Sequence, residues 1–186
     1  MAIKIFIDQG HNPVNPNAGS EGFGLREQDL VYNIGVLLRD LLVADGRFEV
    51  RLSRNSPTEI LGVSNATSLR ERVQRANSWG ADYFISLHTN AAAPSASGTE
   101  AYVYSIPSEA YELGTDIVEN ISEMTGLRNR GVFARPSLYV LRRTSMPAVL
   151  VELGFITNET DSYLMAYEPE IFAEAIYQGI LDYLDL

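Results

Sequence analysis

The stretch IKIFIDQGH, residues 3–11, combines a run rich in isoleucine with a glycine and a histidine directly after it. A short apolar run that is closed by a turn residue predicts a buried strand, here Ile3–Asp8. Two later stretches have the same layout, since YFISL leads into His88 and PAVLV leads into Glu152. Three buried strands that each run into a polar residue are therefore the frame of the predicted fold.

Segments with helical spacing of apolar residues separate these strands, as in an α/β protein. The long segment from Arg26 to about Ala44 repeats apolar residues every three or four positions, and Asp45-Gly46 ends it. Alternation of strands and helices predicts one α/β domain, residues 1–186, with a largely parallel sheet and helices on both faces. The other predicted helices are 69–79, 108–124 and 169–184, and the other strands are 48–52, 83–87, 99–104, 147–151 and a short strand or edge segment at Ser137–Leu141.

Composition and charge exclude several classes of function. The net charge of -10 argues against a partner bound through phosphates, so no nucleic acid is expected. No apolar run approaches the roughly 20 residues of a membrane span. The first residues lack the features of a signal peptide, which predicts export by another route, release by a phage, or earlier removal of a signal. Oligomeric state is left open.

The only two histidines, His11 and His88, both follow predicted strands of the frame. Ligands of open α/β sheets bind at the carboxyl ends of the strands, so the two imidazoles are expected to meet there. Catalytic zinc takes three protein ligands and keeps one position for water. Because the chain has no cysteine, the third ligand must be a carboxylate. Glu21, Glu27 and Glu100 are the candidates that the spacing leaves open.

Four motifs in order carry a resemblance to a known family. They are DQGH at residues 8–11, GLRE at 24–27, ISLHTN at 85–90 and PAVLVELGF at 147–155. Together they resemble the zinc-dependent N-acetylmuramoyl-L-alanine amidases, which include sporulation and autolytic amidases and phage endolysins. The resemblance covers nearly the whole chain. It implies a mixed or mostly parallel sheet of about six strands that is flanked by helices.

The resemblance also implies the site and the reaction. Zinc would be held by His11, Glu27 and His88, with Glu152 as the catalytic residue. The substrate would be the muramyl peptides of bacterial peptidoglycan, cut between the lactyl group of N-acetylmuramic acid and L-alanine. Zinc lowers the pKa of bound water to about 7, and Glu152 would move the proton to the departing nitrogen. Where the family often reads Pro-Gly-His-Gly-Gly, this chain has Gln9 before Gly10 and Asn12-Pro13 after His11, which alters the loop but not the ligand.

Two other functions compete with this one, and one further feature bears on the substrate. The chain could be a zinc peptidase or deacetylase that acts on another amide, or a non-catalytic wall-binding module on the same scaffold. Five arginines are clustered in this acidic chain. Some of them are predicted to meet stem-peptide carboxylates, because arginine favours bidentate contact with carboxylates, and the alternative is that they are solvated or paired with the many acids of the chain. The five arginines are Arg128, Arg130, Arg135, Arg142 and Arg143.

Overall fold

A computed structural model describes residues 2–186 of the chain. Strands and helices alternate along most of its length. The strands are β1 (Ile3–Gln9), β2 (Glu21–Gly22), β3 (Leu25–Arg26), β4 (Phe48–Leu52), β5 (Tyr83–Asn90), β6 (Thr99–Val103), β7 (Asn129–Ala134) and β8 (Ala148–Phe155). The helices are α1 (Glu27–Asp45), α2 (Asn65–Trp79), α3 (Glu109–Thr125), α4 (Tyr139–Arg143), α5 (Glu159–Tyr167) and α6 (Pro169–Leu184).

Six of the strands form one sheet in the order β4-β1-β5-β8-β6-β7, and β2 pairs with β3 as a separate small hairpin. Every neighbouring pair in the large sheet is parallel except β6 and β8, which are antiparallel. The sheet is therefore mixed but mostly parallel, and this confirms the predicted fold class. The three frame strands β1, β5 and β8 lie side by side, so their carboxyl ends share one edge.

Alternate side chains of the frame strands bury against helices on opposite faces, as the two-residue period of a strand requires. Ile5 and Ile7 of β1 belong to a large apolar cluster with residues of α1, α3 and α6. Phe6 between them belongs to a second cluster, with Val73 of α2 and Val140 of α4. Helices thus cover both faces. None of the helices among residues 2–186 has the length and apolar character needed to cross a bilayer.

Local signals place most helix boundaries. Gly46 and Gly80 follow α1 and α2 in the left-handed conformation, with φ of 81° and 67°, which glycine adopts without the strain of a side chain. The α2 helix begins four residues before the predicted Leu69. The reason is the capping box in which the side chains of Ser64 and Thr67 satisfy each other's backbone N–H groups.

One prediction of secondary structure is wrong, and four elements, β2, β3, β7 and α5, were not predicted. Ser137–Leu141 was expected to be a strand or edge segment, but the short helix α4 covers Tyr139–Arg143. Its Val140 and Leu141 are buried against the sheet, so packing outweighs the β preference of Tyr and Val. The strand β7 has no clear counterpart in the sequence pattern, because it is a six-residue edge strand interrupted by Gly131.

Candidate metal centre and active site

The frame strands deliver three polar side chains to one edge of the sheet. His11 follows β1, and His88 and Glu152 are opposite each other in the parallel register of β5 and β8. Both strands run further than the sequence indicates, to Asn90 and Phe155, with an irregularity between His88 and Asn90. Residues opposite each other on neighbouring strands point to the same face, so His88 and Glu152 share a face.

The backbone before His11 brings the two imidazoles together. A Cβ on Gly10 would lie 2.5 Å from Cε1 of His88 and 2.7 Å from the carbonyl oxygen of Leu87, so only glycine fits there. His11 itself has a φ of 67°, in the left-handed region that non-glycine residues seldom adopt. The two imidazole centroids are 4.8 Å apart with the rings nearly perpendicular. The backbone conformation at Gly10 and His11 thus sets the distance between the two imidazole rings.

Glu27 is the first residue of α1, and the β2–β3 hairpin returns the chain so that its carboxylate meets the histidines. Its backbone N–H donates to the carbonyl of Ser20 at 2.9 Å, and its Oε2 accepts from the backbone N–H of Ser20 at 2.9 Å. The N–H of Thr89 donates to Oε1 at 2.9 Å. Backbone groups from two separate segments therefore fix the orientation of this buried carboxylate.

One oxygen of Glu27 faces a ring nitrogen from each histidine. Oε1 lies 3.1 Å from Nε2 of His11 and 3.0 Å from Nδ1 of His88. One ligand atom from each of the three residues lies within 4.8 Å of the others, which makes them a group that could hold a metal ion. Burial raises the pKa of Glu27, but the hydrogen bonds from His11 and His88 outweigh it, and the net pKa lies well below its usual range. Two imidazoles and one ionised carboxylate form a donor set that suits zinc.

The two other carboxylates that the sequence left open do not join this group. Glu21 is exposed in β2. Glu100 is buried in β6, but its oxygens accept hydrogen bonds from Nδ2 of Asn90 at 2.9 Å and from Nε of Arg130 at 2.6 Å. The structure therefore selects Glu27 as the third member.

A buried ion pair lies beneath His11. Nη1 of Arg72 lies 2.6 Å from Oδ1 of Asp8 and donates to the carbonyl of Gln9 at 2.6 Å, while Nη2 donates to the carbonyl of His11. Ser86 donates to the other oxygen of Asp8 at 2.7 Å. Burial raises the pKa of Asp8, but the Arg72 guanidinium and the Ser86 hydroxyl bring its net value below the usual range. This pair ties the loop of His11 to α2.

Glu152 differs from Glu27 in having fewer hydrogen-bond partners. The residue is partly exposed, but its Oε2 atom is buried and has no hydrogen-bond partner among residues 2–186. Burial, followed by the nearby carboxylates of Glu27 and Glu100, raises the pKa of Glu152 to about 8. A carboxyl group with a pKa near neutrality and a free oxygen is suited to proton transfer.

The space beside the histidines is a small pocket between α2 and α4, with a volume of about 140 Å³. Its polar side is formed by His11, His88 and the Asp8–Arg72 pair, and its apolar side includes Leu69 and Tyr139. Helix α4, whose residues were expected to form a strand or edge segment, thus supplies one wall of this pocket.

The five arginines that lie close together in the sequence are dispersed in the fold. Arg130 of β7 pairs with Glu100, and Arg135 lies over the ring of Tyr102 at 5.2 Å. Arg142 lies next to Pro147 and Ala148 at the beginning of β8, before the strand reaches Glu152. The carbonyl of Arg143 accepts from Asn77 near the end of α2, and Arg128 is exposed.

Known proteins resemble this chain in sequence and in fold. A family model described as N-acetylmuramoyl-L-alanine amidase matches residues 5–182. The chain belongs to this family. It is 36% identical over 182 residues to the N-acetylmuramoyl-L-alanine amidase CwlM of Bacillus licheniformis, covering 95% of this chain and 65% of that protein. The crystal structure of an N-acetylmuramoyl-L-alanine amidase from Clostridium difficile 630 superimposes with a TM-score of 0.88 at 31% identity, covering 99% of this chain and 97% of that one.

The chain is shorter than some of its relatives within the amidase family. An uncharacterized cell wall amidase of Bacillus anthracis is 34% identical over 192 residues, which cover 97% of this chain and 35% of the relative. The chain thus spans about two thirds of CwlM and about a third of this second relative. What is shared among them is the domain described above.

Sequence reasoning missed Arg72 and the pairing of Glu100 with Arg130. A signal for Arg72 was present, because Leu69, Arg72, Val73 and Ala76 have the spacing of the buried stripe of a helix. A charged residue within an apolar stripe needs a buried partner. No comparable signal marks Arg130, because its partner is 30 residues away in the chain on another strand.

Proposed function

We propose that this chain is a zinc-dependent hydrolase that cleaves the amide between the lactyl group of N-acetylmuramic acid and L-alanine in bacterial peptidoglycan. The observation that carries the proposal is the convergence of His11, Glu27 and His88 beside Glu152. Membership of the amidase family supports the substrate, and the donor set of two imidazoles and a carboxylate supports zinc. The proposed place of action is the cell wall.

The residues of the chain have distinct parts in this reaction. Nε2 of His11, Nδ1 of His88 and the Glu27 carboxylate would hold the metal, since these atoms already face one another. Zinc in such a set acts as a Lewis acid and lowers the pKa of water to about 7. The backbone N–H groups of Ser20 and Thr89 hold Glu27 in place before any metal binds.

Glu152 would accept the proton of the attacking water and pass it to the departing L-alanine nitrogen. Its Oε2 has no hydrogen-bond partner among residues 2–186 and is available for that proton. A cation held by His11, Glu27 and His88 would favour the ionised form of a neighbouring carboxylate, which opposes the pKa rise caused by burial. General acid–base catalysis of this kind contributes roughly 10²–10⁴-fold to a rate.

The test combines metal analysis with product analysis. We expect about one zinc per chain, and we expect purified peptidoglycan to release intact stem peptides that begin with L-alanine, with loss of activity in chelator. Cleavage within the stem peptide would indicate a peptidase, and release of acetate would indicate a deacetylase. Wall binding without any product would indicate a non-catalytic module, and each of these three outcomes would contradict the proposal.

A further inference from the structure

Arg130 is the arginine that pairs with Glu100, the neighbour of Glu152 across the sheet. Its Nε donates to Oε2 of Glu100 at 2.6 Å. Glu100 of β6 is opposite Glu152 of β8 in the antiparallel register. Residues that are directly opposite on neighbouring strands have Cβ atoms about 5 Å apart and share a face. Arg130 is therefore separated from Glu152 by one side chain.

Three contacts fix the plane of the Arg130 guanidinium. Besides the bond to Glu100, Nη1 donates to the carbonyl of Ser97 at 3.4 Å, and the guanidinium carbon lies 5.0 Å from the centre of the Phe155 ring. Glu100 is itself held, since it accepts from Asn90 and from the hydroxyl of Tyr102. An arginine that is fixed in this way loses little further side-chain freedom on binding a ligand.

Much of the hydrogen-bonding capacity of Arg130 is unused. A guanidinium carries five N–H donors. The Nε–H and one N–H of Nη1 have partners, so three donors have none among residues 2–186. The Arg130 side chain is 33% exposed, so a ligand can reach it. Two N–H groups that point the same way from a guanidinium match the two oxygens of a carboxylate.

We propose that Arg130 binds a carboxylate of the stem peptide while the scissile amide lies at Glu152. This inference rests on the proposed function and narrows the arginine prediction to one residue. In peptidoglycan the lactyl carboxyl group is consumed in the scissile amide, so free carboxylates belong to the stem peptide. A stem peptide that leaves Glu152 towards β6 and β7 brings such a carboxylate to Arg130. Glu100 and Phe155 hold the guanidinium ready for it.

The test uses two forms of one substrate, soluble peptidoglycan strands and the same strands with their carboxylates converted to carboxamides. For Arg130→Gln we expect KM on the native strands to rise about tenfold with little change in kcat, the scale of one charge-assisted hydrogen bond at a partly exposed site. Wild type should show a similar rise on amidated strands, and Arg130→Gln should no longer distinguish the two forms. Arg130→Lys keeps the charge beside Glu100 but lacks the planar guanidinium. Its KM on the native strands should lie between those of wild type and Arg130→Gln.

Arg128→Gln is the matched control, because it removes the same charge from an exposed residue just before β7. It should behave as wild type. If the KM of Arg130→Gln still rises about tenfold when the strands are amidated, the carboxylate is recognised elsewhere and the inference is wrong. Dissociation constants of both substrates are measured alongside hydrolysis. Wild type that binds but does not hydrolyse the strands refutes the proposed function, while the binding constants still decide the part of Arg130.

Discussion

Glu27 and Glu152 have their carboxylates at the same end of one sheet, but their surroundings shift the two pKa values in opposite directions. Both oxygens of Glu27 accept hydrogen bonds from backbone N–H groups of Ser20 and Thr89, and Oε1 also faces both histidines. Glu152 has a buried Oε2 without a partner. Burial raises the pKa of Glu27, but His11 and His88 outweigh it and hold the net pKa below its usual range, whereas burial and the nearby carboxylates of Glu27 and Glu100 raise the pKa of Glu152 to about 8.

This difference separates a ligand from a proton carrier. Hydrogen-bond donors stabilise the charged form of a carboxylate, and burial without donors stabilises the neutral form. A metal ligand has to stay ionised and rigid, whereas a general base has to take up a proton and release it. The following variants test whether the two roles are assigned correctly.

The largest expected effect is that of Glu152→Gln on turnover. The amide keeps the shape of the side chain but cannot accept a proton, so release of stem peptides should fall by roughly 10²–10⁴-fold while zinc stays bound. Metal analysis and product release measure the two quantities. Glu159→Gln, which changes an exposed acid in the first turn of α5, is the control and should retain activity.

The second variant, Glu27→Ala, should act on the metal itself. Loss of a residue that merely supports a ligand lowers metal affinity 10–100-fold, so loss of the ligand should lower zinc affinity by more than about 100-fold. Competition with a chromogenic chelator measures it. Glu21→Ala removes an exposed acid from the adjacent hairpin and should leave zinc affinity unchanged. Retention of zinc by Glu27→Ala with loss by Glu152→Gln would reverse the two roles.

A smaller loss of zinc affinity is expected for Arg72→Lys. Lysine can pair with Asp8 but lacks the second arm that reaches the carbonyl of His11, so His11 should be held less firmly. We expect zinc affinity to fall about tenfold, the lower end of the range for supporting residues. Arg75→Lys, one turn further along α2 on the surface pair with Glu71, is the control. Thermal unfolding checks that both variants are folded. If they then bind zinc with equal affinity, Arg72 does not position the ligand.

The last prediction is a pH dependence of stability in the metal-free protein. The pKa of Glu152 rises from 4.5 to about 8 on folding, so the folded state binds the extra proton between these values. Its stabilising contribution is therefore full below about pH 4.5 and is lost as pH rises towards 8. In chelator, the Tm of Glu152→Gln should rise relative to wild type between pH 5 and pH 9. Parallel Tm curves for the two proteins would contradict the raised pKa.

Much of the fold was readable from the sequence because its signals are local. The apolar runs at β1, β5 and β8 are long enough to be recognised as buried strands, and Gly46 and Gly80 mark helix ends by their conformational freedom. The same runs showed where His11, His88 and Glu152 should meet, because parallel neighbouring strands end at one edge. That edge is where the structure brings them together.

Tertiary structure decided what depends on contacts between distant residues. The residues alone left Glu21, Glu27 and Glu100 open as the third ligand, although the family resemblance implied Glu27. The folded hairpin brings Glu27 to the histidines, while Glu100 pairs with Arg130. It also turned Ser137–Leu141 from an expected strand into a wall of the site, because burial against the sheet outweighs local preference in so short a segment. Local spacing fixes which elements form, whereas the pairing of charges across 30 to 64 residues depends on the three-dimensional packing of those elements.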